Sequence, residues 1–295
     1  AEVKLVIIDI LTQTDFFGDE IVLPFCELLK DSDAEVRAHA AAAVGMTKDP
    51  QAVDALISAM QDEMDPDARY AQMSALAALG DTKASKHIQK WLNSERWQDR
   101  YHAIDALGNL ACEESLPVII KTLRDPHPKV RENAILSAGY YDSPKIREIL
   151  LDLLDDDDVG VSAAAIYMLG EYKATEAIPP FIDLLKCDDE ELLILVIEAL
   201  GKIRNKETAK YLIPHIDSPF PNVRKVVIET LKLFNLDDYL SELMEEIIKD
   251  PKVEFLHQML DERNIKDIDN LKNIFEKIEY PDWVLQLVKI WLKSV

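Results

Sequence analysis

The residues of this chain that are best suited to chemistry are a run of four aspartates and a set of scattered histidines. Asp155 to Asp158 invites comparison with a calcium-binding loop, because carboxylate oxygens are the ligands that Ca²⁺ prefers. With Asp155 as the first loop position, however, Ile166 falls where a bidentate glutamate is required. We therefore interpret the run as an acidic turn in which Asp158 or a neighbour caps the following helix.

Other catalytic or metal-binding patterns are absent from the sequence. The 6 histidines do not form HExxH or a Cys-His zinc spacing, and no P-loop, GxSxG or GxGxxG motif occurs. The histidines are His39, His87, His102, His127, His215 and His257. On these grounds the sequence predicts no catalytic residue, no metal and no cofactor, and a protein that is not an enzyme.

The elements that must position any site are repeated along the chain. In the stretch Asp125 to Gly139, prolines make a turn, apolar residues recur at helical spacing, and Gly139 is expected to end the helix as a left-handed C-cap. The position of Arg131 recurs about every 31 residues along the chain. Its equivalents are Lys4, Arg37, Arg69, Arg100, Ser162, Leu193, Arg224 and, weakly, Glu254.

Each repeat contains a helix A, a polar turn and a helix B. Neither helix can bury its apolar stripe alone, so stacking of the units must close the core. The sequence thus predicts an all-α fold, an α-solenoid of stacked helix pairs. We expect the array to span residues 1–233, with an incomplete first unit, and a degenerate repeat and helical cap to span residues 234–295.

Four helix B segments carry a family resemblance. VRAHAAAAVG (36–45), DRYHAIDALG (99–108), VRENAILSAG (130–139) and VSAAAIYMLG (161–170) resemble HEAT repeats, and the short period is similar to the HEAT-like repeats first described in phycobilisome lyases. The resemblance implies that each arginine packs across the stack onto an acidic turn residue, with Asp31, Asp62 and Asp125 as candidates. Where Ser162 and Leu193 replace the arginine, we expect a more apolar or looser seam.

The resemblance also implies that the B helices line a concave groove. Residues on the face opposite the core combine tyrosine, histidine and carboxylates, which are typical of protein-binding patches, although the aromatic rings could instead cover grooves between repeats. Helix 191–201 is apolar nearly all round, so either the C-terminal cap or another chain is expected to cover it. The predicted partner-binding residues are Tyr70, Tyr101, His102, Asp105, Tyr140, Tyr167, Glu171, Ile194, Leu195 and Glu198.

Charge narrows the class of partner. The chain has 55 Asp and Glu against 33 Lys and Arg, a net charge of −22, which disfavours nucleic acid and favours a basic protein or peptide. No apolar run could cross a membrane, and three distant cysteines without a CxxC pair predict reduced thiols in the cytoplasm. The first hypothesis is therefore a non-enzymatic scaffold. The alternatives are a phycobilin lyase-like subunit that handles a chromophore and a DNA-binding protein, which the acidity disfavours.

Overall fold

Helices account for the regular structure of this computed structural model, which describes residues 1–13 and 19–234. Within those ranges there is no β-strand, and fifteen α-helices follow one another. They are α1 (Glu2–Gln13), α2 (Asp19–Leu28), α3 (Ala34–Thr47), α4 (Val53–Asp62), α5 (Pro66–Leu79), α6 (Ala84–Ile88), α7 (Trp97–Leu110), α8 (Leu116–Thr122), α9 (Pro128–Ala138), α10 (Pro144–Asp152), α11 (Val159–Glu171), α12 (Ile178–Leu184), α13 (Glu190–Ile203), α14 (Ala209–Leu212) and α15 (Pro221–Leu233). Short 3₁₀ turns, among them Gln89–Asn93, extend or precede several A helices.

The helices are arranged as the sequence predicts, in stacked A and B pairs. The chain divides into two compact units, Ala1–Met168 and Leu169–Val295. In the first unit the B helices α1, α3, α5, α7 and α9 pack one on the next, and the A helices α4 and α8 pack on α5 and α9. In the second unit α12 packs on α13, and α13 packs on α15. The predicted all-α solenoid is confirmed, whereas the predicted cap beyond Phe234 lies outside the described residues.

The apolar positions of helix B form the core. Val130, Ala134 and Ile135 of α9 are fully buried, as are Val36 and Ala40 at equivalent positions of α3. The acidic run also has the predicted role, because the Asp158 carboxylate accepts the backbone N–H groups of Gly160 and Val161 and so caps α11.

The repeat glycine has a different role from the predicted one. Gly139 does end α9, but its φ is −55°, in the right-handed region, so the predicted left-handed cap is wrong. Gly45 and Gly108 lie inside their helices instead. A Cβ at Gly45 would lie 2.9 Å from Ala75 Cα, and one at Gly108 would lie 2.5 Å from Ser137 Oγ. The glycine therefore allows consecutive B helices to approach closely.

The left-handed residue lies three positions after this glycine slot. Lys48, Ala111, Lys173 and Arg204 have φ values of 54°, 47°, 51° and 56°, and each follows its repeat glycine by three residues. In one further repeat, Ala77 replaces the glycine. The residue three positions later in that repeat is Gly80, and its φ is 71°. Four of these five positions thus bear a side chain in a backbone conformation that costs L-residues free energy.

A ladder of ion pairs joins successive repeats in the first unit. Each cation at the reference position reaches a carboxylate in the turn of the next repeat, and each arginine also donates from Nη1 to the backbone carbonyl oxygen six residues before it. The pairs of this arginine ladder are Lys4–Asp31, Arg37–Glu63, Arg69–Asp99, Arg100–Asp125 and Arg131–Asp156. The implied packing of arginine on an acidic turn is confirmed, except that Glu63, and not the exposed Asp62, is the acid of the second repeat.

The ladder ends where the reference residue changes. Among the described residues, Ser162 Oγ donates only to the backbone carbonyl oxygen of Val159 within its own helix. Leu193 is buried, 3% exposed, so the seam there is apolar, as predicted.

Three carboxyls of the ladder, those of Glu63, Asp99 and Asp156, have lowered pKa values. Burial alone would raise the pKa of Glu63, Asp99 and Asp156, but hydrogen bonds outweigh it and lower all three. The donors are Arg37 for Glu63, Ser94 and Arg69 for Asp99, and Arg131 for Asp156. These carboxyls therefore stay ionised in the folded protein at a pH where the unfolded chain takes up protons.

Introducing a glycine at the left-handed position and removing one from it should change the free energy of unfolding in opposite directions. We expect Ala111→Gly to raise the free energy of unfolding by about 0.5–1 kcal/mol, because glycine adopts φ of 47° without steric cost. Gly80→Ala should lower it by about 1 kcal/mol, since no atom lies within 4 Å of the added Cβ and only backbone strain remains. Urea unfolding measures both changes, and equal signs would contradict this account.

Removing one ladder carboxylate should be costly and should alter the acid sensitivity. The Arg69 and Asp99 side chains are 6% and 3% exposed, so Asp99→Asn should lower the free energy of unfolding by about 3 kcal/mol at neutral pH. Because its folded pKa is lowered, Asp99 stabilises the fold above its unfolded pKa of about 4 and loses that contribution as the pH falls through the folded value. The variant should lose less stability than the native chain over that pH range.

The control is another ion pair between repeats of the same unit. Arg124 and Asp152 are 3.0 Å apart, but their side chains are 60% and 65% exposed. Asp152→Asn should change the free energy of unfolding by less than about 1 kcal/mol. Equal losses for the two variants in urea unfolding would show that the ladder gains nothing from burial.

Candidate functional site

The predicted site residues of the first unit lie along its B helices, a surface that we call the B-helix face. Tyr70 is on α5, and Tyr101, His102 and Asp105 are on α7. Tyr70, Tyr101 and His102 are half-buried, whereas Asp105 is exposed. The chain thus brings rings from two successive repeats to one face, beside a carboxylate.

Five aromatic rings on this face contact one another in series. The Tyr70 and His102 rings stack with centroids 3.9 Å apart, and the Tyr101 ring meets His102 edge to face at 5.2 Å. Trp97 meets Tyr101 edge to face at 6.3 Å and stacks on His127 at 4.1 Å. We call these residues the five-ring cluster. It crosses three repeats, from α5 through α7 to the turn before α9.

Hydrogen bonds with Asp99 of the ladder and with Asn133 hold two residues of the cluster in place. The Tyr70 hydroxyl donates to Asp99 Oδ1 at 3.1 Å, and the same oxygen accepts from Arg69. On the other side, Asn133 Nδ2 donates to the backbone carbonyl oxygen of Tyr101 at 3.0 Å. Asp99 therefore belongs both to the arginine ladder and to the support of the rings.

His127 has a defined tautomer. It precedes α9 as the N-cap, and its Nδ1 accepts the backbone N–H of Lys129 at 3.2 Å. Because Nδ1 is the acceptor, the ring carries its proton on Nε2.

Two members of the cluster, Tyr70 and His102, and the neighbouring Asp105 have pKa values shifted towards their neutral forms. Burial lowers the pKa of His102, although the charges of Asp105, Asp99 and Asp67 act in the opposite direction. Part of the Asp105 side chain is exposed, yet desolvation by the neighbouring helices raises the pKa of its carboxyl. Burial and the Asp99 carboxylate raise the pKa of Tyr70. Both shifts favour uncharged Tyr70 and His102 rings at neutral pH.

Two members of the cluster, Trp97 and His127, are missing from the predicted site. The two residues are about one repeat period apart in the sequence. Because equivalent positions of stacked repeats lie side by side, this spacing could have predicted that their rings are in contact. Tyr70 and His102 stack across α5 and α7, an arrangement that fits the alternative in which rings cover grooves between repeats. Tyr140 and Tyr167, also predicted site residues, are 63% and 44% exposed.

The remaining predicted residues belong to the second unit, where Glu171 forms an ion pair with Lys202 at 2.5 Å. Glu198 on α13 is exposed, and Ile194 and Leu195 on the same helix are half-buried. The predicted cover of these two apolar side chains by the C-terminal cap or by another chain stays a prediction, because the cap lies outside the described residues. Their role in binding a partner stays a prediction.

The described residues contain no group of three or more His, Cys, Asp or Glu side chains that could hold a metal ion. Within the same ranges, no helix has the length and apolar content needed to span a membrane.

Comparison with known proteins gives relatives for part of the chain. It is 38% identical over 84 residues to the bilin biosynthesis protein PecE of Nostoc sp. PCC 7120, an alignment that covers 28% of this chain and 33% of that protein. It is 37% identical over 101 residues to PecE of Mastigocladus laminosus, covering 32% and 38% of the two chains. The alignments thus span about a third of the length of these relatives.

A solved structure is similar over a longer range. The crystal structure of YibA from Escherichia coli matches with a TM-score of 0.59 and 20% identity, covering 76% of this chain and 85% of that chain. At this identity the likeness concerns the fold alone.

These relatives correct two predictions made from the sequence. The non-enzymatic scaffold for a basic protein, and the expectation that the chain is not an enzyme, are contradicted by two relatives that are named as bilin biosynthesis proteins. The prediction rested on the absence of catalytic motifs from the sequence, but a surface formed by residues of several repeats contains no compact motif that sequence spacing could reveal.

The repeat pattern itself is matched over most of the chain. The family model described as HEAT repeats matches residues 22–107, 85–170, 116–193, 148–232 and 178–260. These overlapping matches follow the helix pairs of the structure and continue beyond its described residues. The chain therefore belongs to the HEAT-repeat family.

Proposed function

We propose that this chain is a phycobilin lyase-like protein that binds an open-chain tetrapyrrole on the B-helix face, against the five-ring cluster. The similarity to bilin biosynthesis proteins is the observation that carries this proposal. The cluster supports it, because half-buried aromatic rings beside carboxylates suit a flat conjugated ligand with N–H donors. Since the chain spans about a third of the relatives, both the bilin and any activity on it are proposals.

The rings would supply the contact area. Aromatic pairs in stacked or edge-to-face geometry contribute about 0.5–1.5 kcal/mol beyond the area that they bury. Tyr70 and His102 already stack on each other, so a ligand would meet their edges and the Tyr101 ring. The ladder acid Asp99 and Asn133 hold these rings before any ligand arrives, which reduces the ordering cost of binding.

The polar groups would orient the ligand. The pyrrole nitrogens of a bilin are hydrogen-bond donors, and an ionised Asp105 is an acceptor on the same helix face as Tyr101 and His102. His102, kept neutral by burial, has one nitrogen available as an acceptor. These two side chains would therefore select the donor edge of the tetrapyrrole.

The acidic composition bears on partners. A protein partner of this chain is expected to have a basic contact surface, since the chain has a net charge of −22. The same charge disfavours nucleic acid, and we propose that the protein acts in the cytoplasm.

Bilin binding is tested by titrating biliverdin with the protein and recording the absorption spectrum. We expect a shift of the long-wavelength band on binding, and an affinity about three- to tenfold lower for Tyr101→Ala, because a stacking surface is lost. Tyr140→Ala is the matched control, since Tyr140 is 63% exposed and outside the cluster. No spectral shift with the native chain would reject the bilin, and equal losses in the two variants would reject this site.

The pH dependence tests the role of Asp105. If the ionised carboxylate accepts a pyrrole N–H, the affinity for biliverdin should fall as the pH is lowered through the raised pKa of Asp105. Asp105→Asn should remove this pH dependence, whereas Glu198→Gln, an exposed carboxylate on α13, should preserve it. Biliverdin titrations at a series of pH values compare the variants. The same pH dependence in Asp105→Asn would contradict the assignment.

A further inference from the structure

The A helices of the first unit enclose a second candidate site, a cleft that the proposed bilin surface does not use. It lies between α6 with the 3₁₀ turn Gln89–Asn93 on one side and α8 on the other, and its volume is about 630 Å³. Ligand sites typically have volumes of about 300–1,000 Å³. We call it the basic cleft and define it by Lys86, Lys90, Lys121 and Arg124, which line it.

The charge of the cleft is opposite to that of the chain. Its lining contains five cations and a single carboxylate, Asp125, in a protein whose net charge is −22. Arg100 already occupies both oxygens of this carboxylate, at 2.7 and 2.8 Å. The lining therefore offers no acid that could neutralise the four cations of the basic cleft.

The lysines of the cleft differ from other lysines of the same unit. Lys129 and Lys145 each form an ion pair with a glutamate one helical turn away, at 2.7 and 2.9 Å. Lys86, Lys90 and Lys121 make no ion pair or hydrogen bond with any residue that the structure describes. Arg124 is paired only with Asp152, in a contact that solvent exposes on both sides. The cations are therefore available to an external anion.

The cleft also has apolar parts. Leu92 and Val118, from opposite walls, are half-buried and line it together with the cations. The Thr122 hydroxyl donates to the backbone carbonyl oxygen of Val118, so this polar side chain is already satisfied. Lys86 and Lys90 belong to one wall, and Lys121 and Arg124 belong to the other, so each wall combines cations with an apolar side chain.

We propose that the basic cleft binds a small amphipathic dianion, a ligand with an apolar body and two carboxylate, phosphate or sulfonate groups. One anionic group would pair with Lys90 and the other with Lys121, while the body would contact Leu92 and Val118. Four cations at close range repel one another, and an anion relieves that repulsion as well as pairing with them. This site is on the A helices and does not depend on the bilin proposal.

The test uses the dye bis-ANS, which carries two sulfonates on an aromatic body and becomes fluorescent on binding. We expect saturable binding that weakens with salt, and an affinity about five- to tenfold lower for Lys90→Gln/Lys121→Gln, because two exposed ion pairs are lost. The control is Lys48→Gln/Lys145→Gln, which changes the net charge equally at exposed lysines outside the cleft. It should bind the dye as the native chain does.

A second measurement locates the dye. Acetylation of lysines in the native chain, read by mass spectrometry, should be slowed by bis-ANS at Lys86, Lys90 and Lys121 but unchanged at Lys145. Equal affinity of the cleft variant and the native chain would overturn the proposal, as would equal losses in both double variants. Absence of protection at the three cleft lysines would overturn it as well. None of these outcomes bears on biliverdin binding to the B-helix face.

Discussion

The contact between a reference-position cation and the carboxylate of the next repeat is the interaction on which the first unit depends. A helix pair of about 31 residues buries too little surface to be stable alone, so each pair needs a specific register against its neighbour. Apolar packing between helices has little directional preference, whereas a guanidinium that bonds one carboxylate and one backbone carbonyl at once permits a single arrangement. In the first unit the ladder therefore acts at the same seams as the close glycine contacts, such as that of Gly108 with Ser137.

This constraint extends to the candidate site through Asp99. Its Oδ1 accepts from both Arg69 and the Tyr70 hydroxyl, and its Oδ2 accepts from Ser94. The carboxylate that holds two repeats together therefore also orients the first ring of the five-ring cluster. A ring surface on an array of small units can be rigid only if the units cannot slide, and the shared carboxylate meets that requirement.

Repetition explains which features could be predicted from the sequence. The apolar positions, the helix pairs and the cation slot recur at a fixed period, so the core at Val130 and Ile135 and the arginine packing follow from the pattern. The role of Gly139 could not be predicted, because a close helix contact and a left-handed cap both favour glycine. Only the three-dimensional structure distinguishes the two roles. The contact of Trp97 with His127 and the choice of Glu63 over Asp62 depend on the rotation between neighbouring repeats, which no single unit encodes.

The A-helix side and the B-helix face of the first unit carry different kinds of side chain. On the B-helix face, burial keeps His102 neutral and raises the pKa of Asp105, so that rings and hydrogen-bond acceptors dominate. On the A-helix side, lysines that have no ion pair with any described residue line a cleft together with Leu92 and Val118. Both faces arise from positions that the core leaves free, at which substitutions cost little stability. The stacked core and its ladder can therefore stay unchanged while the residues of either face vary, and a repeat fold can in this way serve unrelated functions.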